Sequence, residues 1–393
     1  MTPVVHGDVV VVGAGIIGLA VAREAAAAGL TVTLVDPEPG HGSTWAAAGM
    51  LAPVAEAHFG EEALAGLNLA AVRAWPAFAA RLEVDSGIPV HFRADGTLLG
   101  AVDPSDRAAT DRVLAFHQAT GLSARRLGAR ACRESEPLLA PGIAGGAELP
   151  DDHQVDNRAV VAALLGAARA AGVRLVADEV DRVDVDGGRV RGVHLARSGD
   201  LPAPSVVVAA GSRSGDLAGL PEGDRPPVRP VRGVTVRLEA PVGVPRLRRT
   251  VRALVHGRSC YLVPRDDGGL VLGATMDERG PDLSVPLGGL ADLLDDARRV
   301  VPALDEYAVV ETAPGLRPGS PDNGPLVGPT GTDGLVVATG HFRNGILLAP
   351  VTAVEVVRHL LAGPRGADPG PGPFADFRPG RFARRAGTVG TRR

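Results

Sequence analysis

The chain has 393 residues, 45% hydrophobic but only 3% aromatic, enough for two or three domains built on aliphatic cores. Its formal net charge is −4 and its 41 basic residues are spread along the chain, which argues against a nucleic-acid surface. Every basic residue is arginine, so Schiff-base catalysis, pyridoxal-phosphate attachment and a P-loop, all of which need a lysine, are excluded.

The two cysteines, Cys132 and Cys260, lie far apart, and no CxxC occurs, so neither a disulfide framework nor a metal site is expected. That usage fits a reducing, cytoplasmic setting. The first strand begins near residue 8, leaving no room for a signal peptide. Apolar runs are short and broken by Arg or Gly, so no membrane-spanning helix is expected.

In chain order, Val9 to Val12 reads as a strand, Ile16 to Ala28 as a helix, and Asp36 ends the next strand. Residues 42–52 are small and polar, which suits backbone pressed against a ligand. A long helix is predicted over 64–85, short strands over 88–102, and helices over 104–119 and 129–135. Asp156-Asn157 caps a helix over 158–171. Strands follow at 173–177, 180–185 and 189–195, with Gly187-Gly188 turning between the last two. Ser205 to Gly211 is a buried strand, and 228–276 is mostly strand. An amphipathic helix spans 287–300, strands lie at 307–314 and 335–339, and a final helix runs over 346–361. Beyond Gly363 the Pro/Gly-rich basic tail reads as extended or disordered, with Phe374, Phe377 and Phe382 available to pin it.

The alternation implies an α/β fold: a doubly wound, Rossmann-like domain interleaved with a mainly antiparallel α+β domain. The first would comprise residues 1–85, 151–219 and 306–363, the second 86–150 and 220–305, and the tail 364–393. No internal repeat is evident.

Two loop-to-helix corners carry chemistry. The first is Gly13-Ala14-Gly15-Ile16-Ile17-Gly18, between a strand and a helix. Gly13 makes the tight turn, Gly15 admits a pyrophosphate, and Gly18 lets the helix approach the strand. The helix N-terminus offers free N–H groups to phosphate, and Asp36 can accept from a ribose diol. The second corner is Gly340-His341-Phe342-Arg343-Asn344-Gly345-Ile346, again between strand and helix. Its dipole can stabilise charge on the pyrimidine edge of a reduced flavin. Arg317, held between Pro and Gly corners in GLRPGS, reads either as a bidentate carboxylate ligand or as a structural salt bridge. Tyr261, alternating on a strand, reads as its partner on a carboxylate or as a core tyrosine.

With these motifs the chain resembles the glycine oxidases of the ThiO type, within the wider D-amino-acid oxidase and sarcosine oxidase superfamily. The resemblance covers roughly residues 8–363 and rests on Ala46 to Leu51, CYLVPR (Cys260 to Arg265), GATM (Gly273 to Met276), GLRPGS and, most diagnostically, GHFRNGILLAP (Gly340 to Pro350). It implies non-covalent FAD along the first βαβ unit. Gly13, Gly15, Ile16 and Gly18 would lie by the pyrophosphate and Asp36 by the adenosine ribose. Ser43 and Thr44 would add phosphate contacts. Ala48, Gly49 and Met50 would pass the isoalloxazine, Val180 would offer its backbone to adenine, and His341, Phe342, Arg343, Asn344, Gly345, Ile346 and Leu347 would line the pyrimidine edge. Arg317, Tyr261 and Arg343 would hold the substrate, with Met50 and Met276 walling the pocket. The implied reaction oxidises glycine or a related small amine to an imine or glyoxylate, with ammonia and peroxide, for the thiazole branch of thiamine synthesis. Implied partners are a small amino acid, molecular oxygen, further copies of the chain in a homo-oligomer such as a tetramer, and thiazole synthase as recipient of the imine. The chain departs from the family where Ser259 stands in place of a frequent histidine and Thr44-Trp45 replaces a more polar pair. Alternatives are a sarcosine or D-amino-acid oxidase, a flavin dehydrogenase with another acceptor, and a non-catalytic flavin-binding regulator.

Overall fold

A computed structural model describes residues 7–363 and 370–382. The described residues form eight α-helices: α1 Ile16–Ala27, α2 Ser43–Ala46, α3 Glu62–Ser86, α4 Pro104–Ala119, α5 Ala129–Ser135, α6 Asn157–Ala170, α7 Leu287–Val300 and α8 Gly345–Ala362. Asp156 caps α6 as read from sequence, accepting from Arg158 N at 2.8 Å and Ala159 N at 3.1 Å, and Asp103 caps α4, accepting from Asp106 N at 2.8 Å.

The first domain is a six-stranded sheet in the order Leu326–Pro329, Leu335–Thr339, Ser205–Val208, Val9–Val12, Val32–Val35, Arg174–Val176. All neighbours are parallel except the edge strand Leu326–Pro329. Val9–Val12 is wholly buried because helices cover one face of the sheet and a second, antiparallel sheet covers the other, which is why it reads as an unbroken apolar run. α1, α3, α6 and α8 share one apolar core with it. A three-stranded antiparallel sheet (Val180–Asp186, Arg189–Leu195, Gly199–Pro202) is packed below.

The second domain is an eight-stranded sheet in the order Ala308–Gly319, Arg229–Glu239, Gly269–Gly273, Arg258–Pro264, Thr250–Val255, Thr97–Ala101, Gly145–Leu149, Arg125–Gly128. The parallel pairing of Thr250–Val255 with Thr97–Ala101 joins chain segments far apart in sequence. Strand alternation gives the sheet two different faces. Leu262, Leu272 and Val236 point into a core with α7, whereas Val263 and Val271 pack with Ala48, Met50 and Tyr261 toward the first domain.

Several elements differ from the sequence reading. The strand expected over 307–314 continues to Gly319 and pairs with Arg229–Glu239, so it lies in the eight-stranded sheet rather than with the nucleotide-binding segments. Arg317 therefore sits within a regular strand and not at a Pro/Gly corner. α2 and the strands Gly199–Pro202 and Leu326–Pro329 were too short to leave a periodic signal. α3 and α8 are, contrary to expectation, long and apolar enough to cross a membrane, but both contribute to the same buried core. The tail, expected to be extended or disordered, lies mostly outside the described residues. Within 370–382, Phe374 and Phe377 are buried, and Arg381 is bonded to Asp322 at 2.8 Å.

Candidate functional site

At the first corner Gly13 takes φ +99°, and a Cβ there would meet Ala209 O at 2.5 Å. A Cβ on Gly18 would lie 1.8 Å from Gly13 O, so only glycine lets α1 approach the turn. A Cβ on Gly15 would touch only Thr44 Oγ1, at 3.3 Å, which leaves space in front of the helix N-terminus. Ile16 N donates to Thr44 Oγ1 at 3.1 Å. Asp36 accepts from Ala14 N and Glu38 N, each at 2.7 Å, through different oxygens. The carboxylate thus braces the glycine turn, and each oxygen keeps a further acceptor site. Val180 packs with Val10, Val12 and Val35 beside this corner.

Ser43 to Met50 crosses from that corner to the eight-stranded sheet. Its carbonyls are held from behind: Thr44 O by Asn157 Nδ2 at 2.8 Å, Ala46 O by Thr235 Oγ1 at 2.8 Å, and Ala48 O by Arg265 at 2.8 Å. Gly49, at φ +74°, has no room for a side chain against Val155 O. Trp45 donates to Glu311 at 3.2 Å and is covered by the Arg158 guanidinium at 3.6 Å. Ser43 lies against Gly315, where a Cβ would come within 3.3 Å of its Cα.

On the sheet face toward this segment, Tyr261 is in register with Gly273 and Arg252. Arg317 lies two residues along its strand from Gly315, which pairs with Gly233. Glycines make the room: a Cβ on Gly233 would meet the Arg317 guanidinium at 2.1 Å, and one on Gly273 would meet the Tyr261 hydroxyl at 2.3 Å. Burial pushes the Tyr261 phenol up, with the neighbouring Arg317 and Arg252 guanidinium groups opposing it. Arg317 reaches main-chain carbonyls only at long range, Arg232 O at 3.5 Å and Thr275 O at 3.4 Å, it neighbours the Tyr261 hydroxyl, and no carboxylate pairs with it among the described residues.

The second corner is fastened to the same sheet. Phe342 N donates to Pro318 O at 3.1 Å, and His341 bridges to Gly319. Gly340 at φ +73° and Phe342 at φ +47° make the turn. His341 is buried and bonded to Thr352 Oγ1 at 3.0 Å, and burial pushes its pKa down to about 3, so it is neutral. Asn344 N turns back to His341 O at 2.8 Å. Gly345, Ile346 and Leu347 form the first turn of α8, where helix geometry supplies no internal acceptor for their N–H groups.

Sequence reading missed two residues that join these parts. Glu56 is buried and pairs with Arg252 through one oxygen and with Arg343 at 3.2 Å through the other. Arg343 also lies 3.3 Å from His58 Nε2 and 3.9 Å from Met276 Sδ. Met276 is 60% exposed, at the outer edge of the site. The available signal was Arg252 itself, a lone charge in the apolar run Thr250–Val255.

The glycine cradle, the two helix N-termini and the small-residue segment between them suit a dinucleotide laid across both domains. A family model described as FAD dependent oxidoreductase (DAO) matches residues 8–359. The chain belongs to the FAD dependent oxidoreductase family. Its fold is that of this family, and FAD is its cofactor. It is 32% identical over 388 residues to the bifunctional protein ThiO/ThiG of Trichormus variabilis, covering 97% of this chain and 56% of that protein. The chain thus spans about half the length of such bifunctional relatives, 51–56%. It is 33% identical over 353 residues to glycine oxidase of Geobacillus kaustophilus, covering 89% of this chain and 91% of the relative. The crystal structure of a glycine oxidase from G. kaustophilus superposes with a TM-score of 0.85 at 32% identity, covering 96% and 99% of the two chains. That of iminodiacetate oxidase from Chelativorans sp. BNC1 superposes with a TM-score of 0.82 at 26% identity, covering 94% and 98%.

Proposed function

We propose that the protein oxidises glycine and related small amines to the imine, which yields glyoxylate and ammonia, with oxygen reduced to peroxide. The observation that carries this reading is the convergence of Arg317 and Tyr261 on one sheet face beside Ala48 and Met50, with no protein carboxylate on Arg317 among the described residues. A guanidinium and a phenol with free donor capacity suit a small carboxylate.

Gly13, Gly15, Ile16 and Gly18 would hold the pyrophosphate, Asp36 the adenosine ribose, Ser43 and Thr44 the phosphates, and Val180 the adenine. Ala48, Gly49 and Met50 would face the ring system, and His341 to Leu347 its pyrimidine edge. Bound FAD would supply the two-electron acceptor for amine oxidation, with oxygen as the terminal oxidant. The chain's own residues then do three things. Arg317 and Tyr261 fix the carboxylate and hence the direction of the Cα–H bond, a positioning role worth several kcal/mol. Arg343, tethered by Glu56, closes the outer side with Met276. The α8 N-terminus holds negative charge without moving a proton, and neutral His341 adds no competing charge.

The thiamine role, delivery of the imine to a thiazole synthase and a homo-oligomeric assembly such as a tetramer belong to the same proposal. The names of the ThiO/ThiG relatives support the first two. A peroxide assay over glycine, sarcosine, N-ethylglycine and D-alanine tests the reading. Turnover of glycine and little of D-alanine is expected; peroxide from none of them would refute it.

A further inference from the structure

The Arg232 side chain is completely buried, yet no part of the proposed chemistry uses it. Its Nε and one terminal nitrogen bond both oxygens of Asp277, at 2.9 and 3.1 Å. The other terminal nitrogen reaches Asp282 at 2.6 Å and both Ser284 O and Ser284 Oγ at 2.9 Å. One guanidinium therefore gathers three points of the segment between the strand Gly269–Gly273 and α7. Backbone bonds reinforce the first point: Arg232 N donates to Asp277 O at 2.8 Å and Asp277 N to Arg232 O at 3.1 Å. Thr275 is tied to Val234 in both directions, N to O at 3.2 Å and Oγ1 from Val234 N at 2.9 Å.

The two carbonyls that Arg317 touches are Arg232 O and Thr275 O. They belong to the two segments that the Arg232 side chain staples together. The next residue, Met276, is the one beside Arg343. We propose that Arg232 is a positioning residue: by clasping residues 275–284 onto its own strand it sets the direction of Arg317 and closes the substrate pocket. The proposal rests on Arg317 as the carboxylate ligand. A bidentate clasp with three further acceptors suits arginine and no other side chain, and a buried guanidinium stays in place only while its acceptors do.

The test uses the FAD-loaded full chain with Arg232→Met, which keeps an unbranched apolar stem in the buried position, and with Asp277→Ala, which removes only the two-bond limb at a partly exposed residue. Two quantities are read. The first is the rate of trypsin cleavage after the exposed Arg279, identified by the fragment masses for residues 1–279 and 280–393. The second is the affinity for acetate, followed by flavin absorbance. Cleavage at least about tenfold faster and acetate binding at least about tenfold weaker are expected in Arg232→Met, with the same directions in Asp277→Ala. For amine turnover, KM should rise by a larger factor than kcat falls. Unchanged acetate affinity in Asp277→Ala, with or without faster cleavage, overturns the proposal, as does unchanged cleavage. Because neither readout requires glycine to be oxidised, absence of glycine turnover in the wild type would count against the proposed reaction and leave this inference standing on its own results.

Discussion

Replacing Glu56 by glutamine should destabilise the protein in a way that depends on pH. The carboxylate is 9% exposed and lies between Arg252 and Arg343. Burial pushes its pKa up, but the two guanidinium groups, Arg252 foremost, outweigh burial and hold it at about 2, against an ordinary 4.5. A depressed pKa stabilises the fold above the unfolded-state value and loses that contribution as pH falls toward the folded-state value. The window is thus between pH 4.5 and about 2, and the magnitude at neutral pH is about 3 kcal/mol. Glutamine leaves Arg252 buried without its counter-charge, which is the same loss seen from the other side of the pair. Urea unfolding of wild type and Glu56→Gln should differ by about 3 kcal/mol at pH 7, and the gap should shrink steadily below pH 4. The double variant Glu56→Gln/Arg252→Met should recover part of the loss, because the stranded charge is gone. Equal stability at pH 7, or a gap that does not narrow in acid, would refute this electrostatic picture.

Arg317→Ala should raise KM for glycine by a factor equivalent to about 2–5 kcal/mol while leaving the flavin bound; steady-state kinetics would show it. Gly18→Ala places a methyl carbon 1.8 Å from Gly13 O, so the purified variant should lose FAD, visible as missing yellow absorbance. Acid precipitation of the wild type should release all the flavin into solution, since Cys132 and Cys260 are buried and burial pushes the Cys260 thiol up to about 12. Between pH 5 and 9, a pH–rate profile should show no ionisation that His341→Gln removes, because the imidazole is already neutral above about 3.

Local patterns made the corners legible. Gly13, Gly15 and Gly18 follow a strand and open a helix, and the spacing alone identifies that geometry. Gly340 to Gly345 repeats the strand-to-helix logic. What sequence could not supply is register. Arg252, Tyr261 and Arg317 share a face only because of how five strands pair, and the paired strands Arg229–Glu239 and Ala308–Gly319 lie about seventy residues apart in sequence. Glu56 meets Arg252 and Arg343 across 196 and 287 positions. Arg317 was singled out for the wrong local reason: its flanking Pro and Gly do not form a corner, and the glycine that frees its side chain is Gly233, on the neighbouring strand.

The most direct test is a crystal structure of the yellow protein with FAD and a small carboxylate. The pyrophosphate should lie on Gly13 to Gly18, the pyrimidine edge of the same molecule on Gly340 to Leu347, and the carboxylate on Arg317 and Tyr261. A cofactor that touches only one of the two corners, or a carboxylate bound away from Arg317, would contradict the assignment.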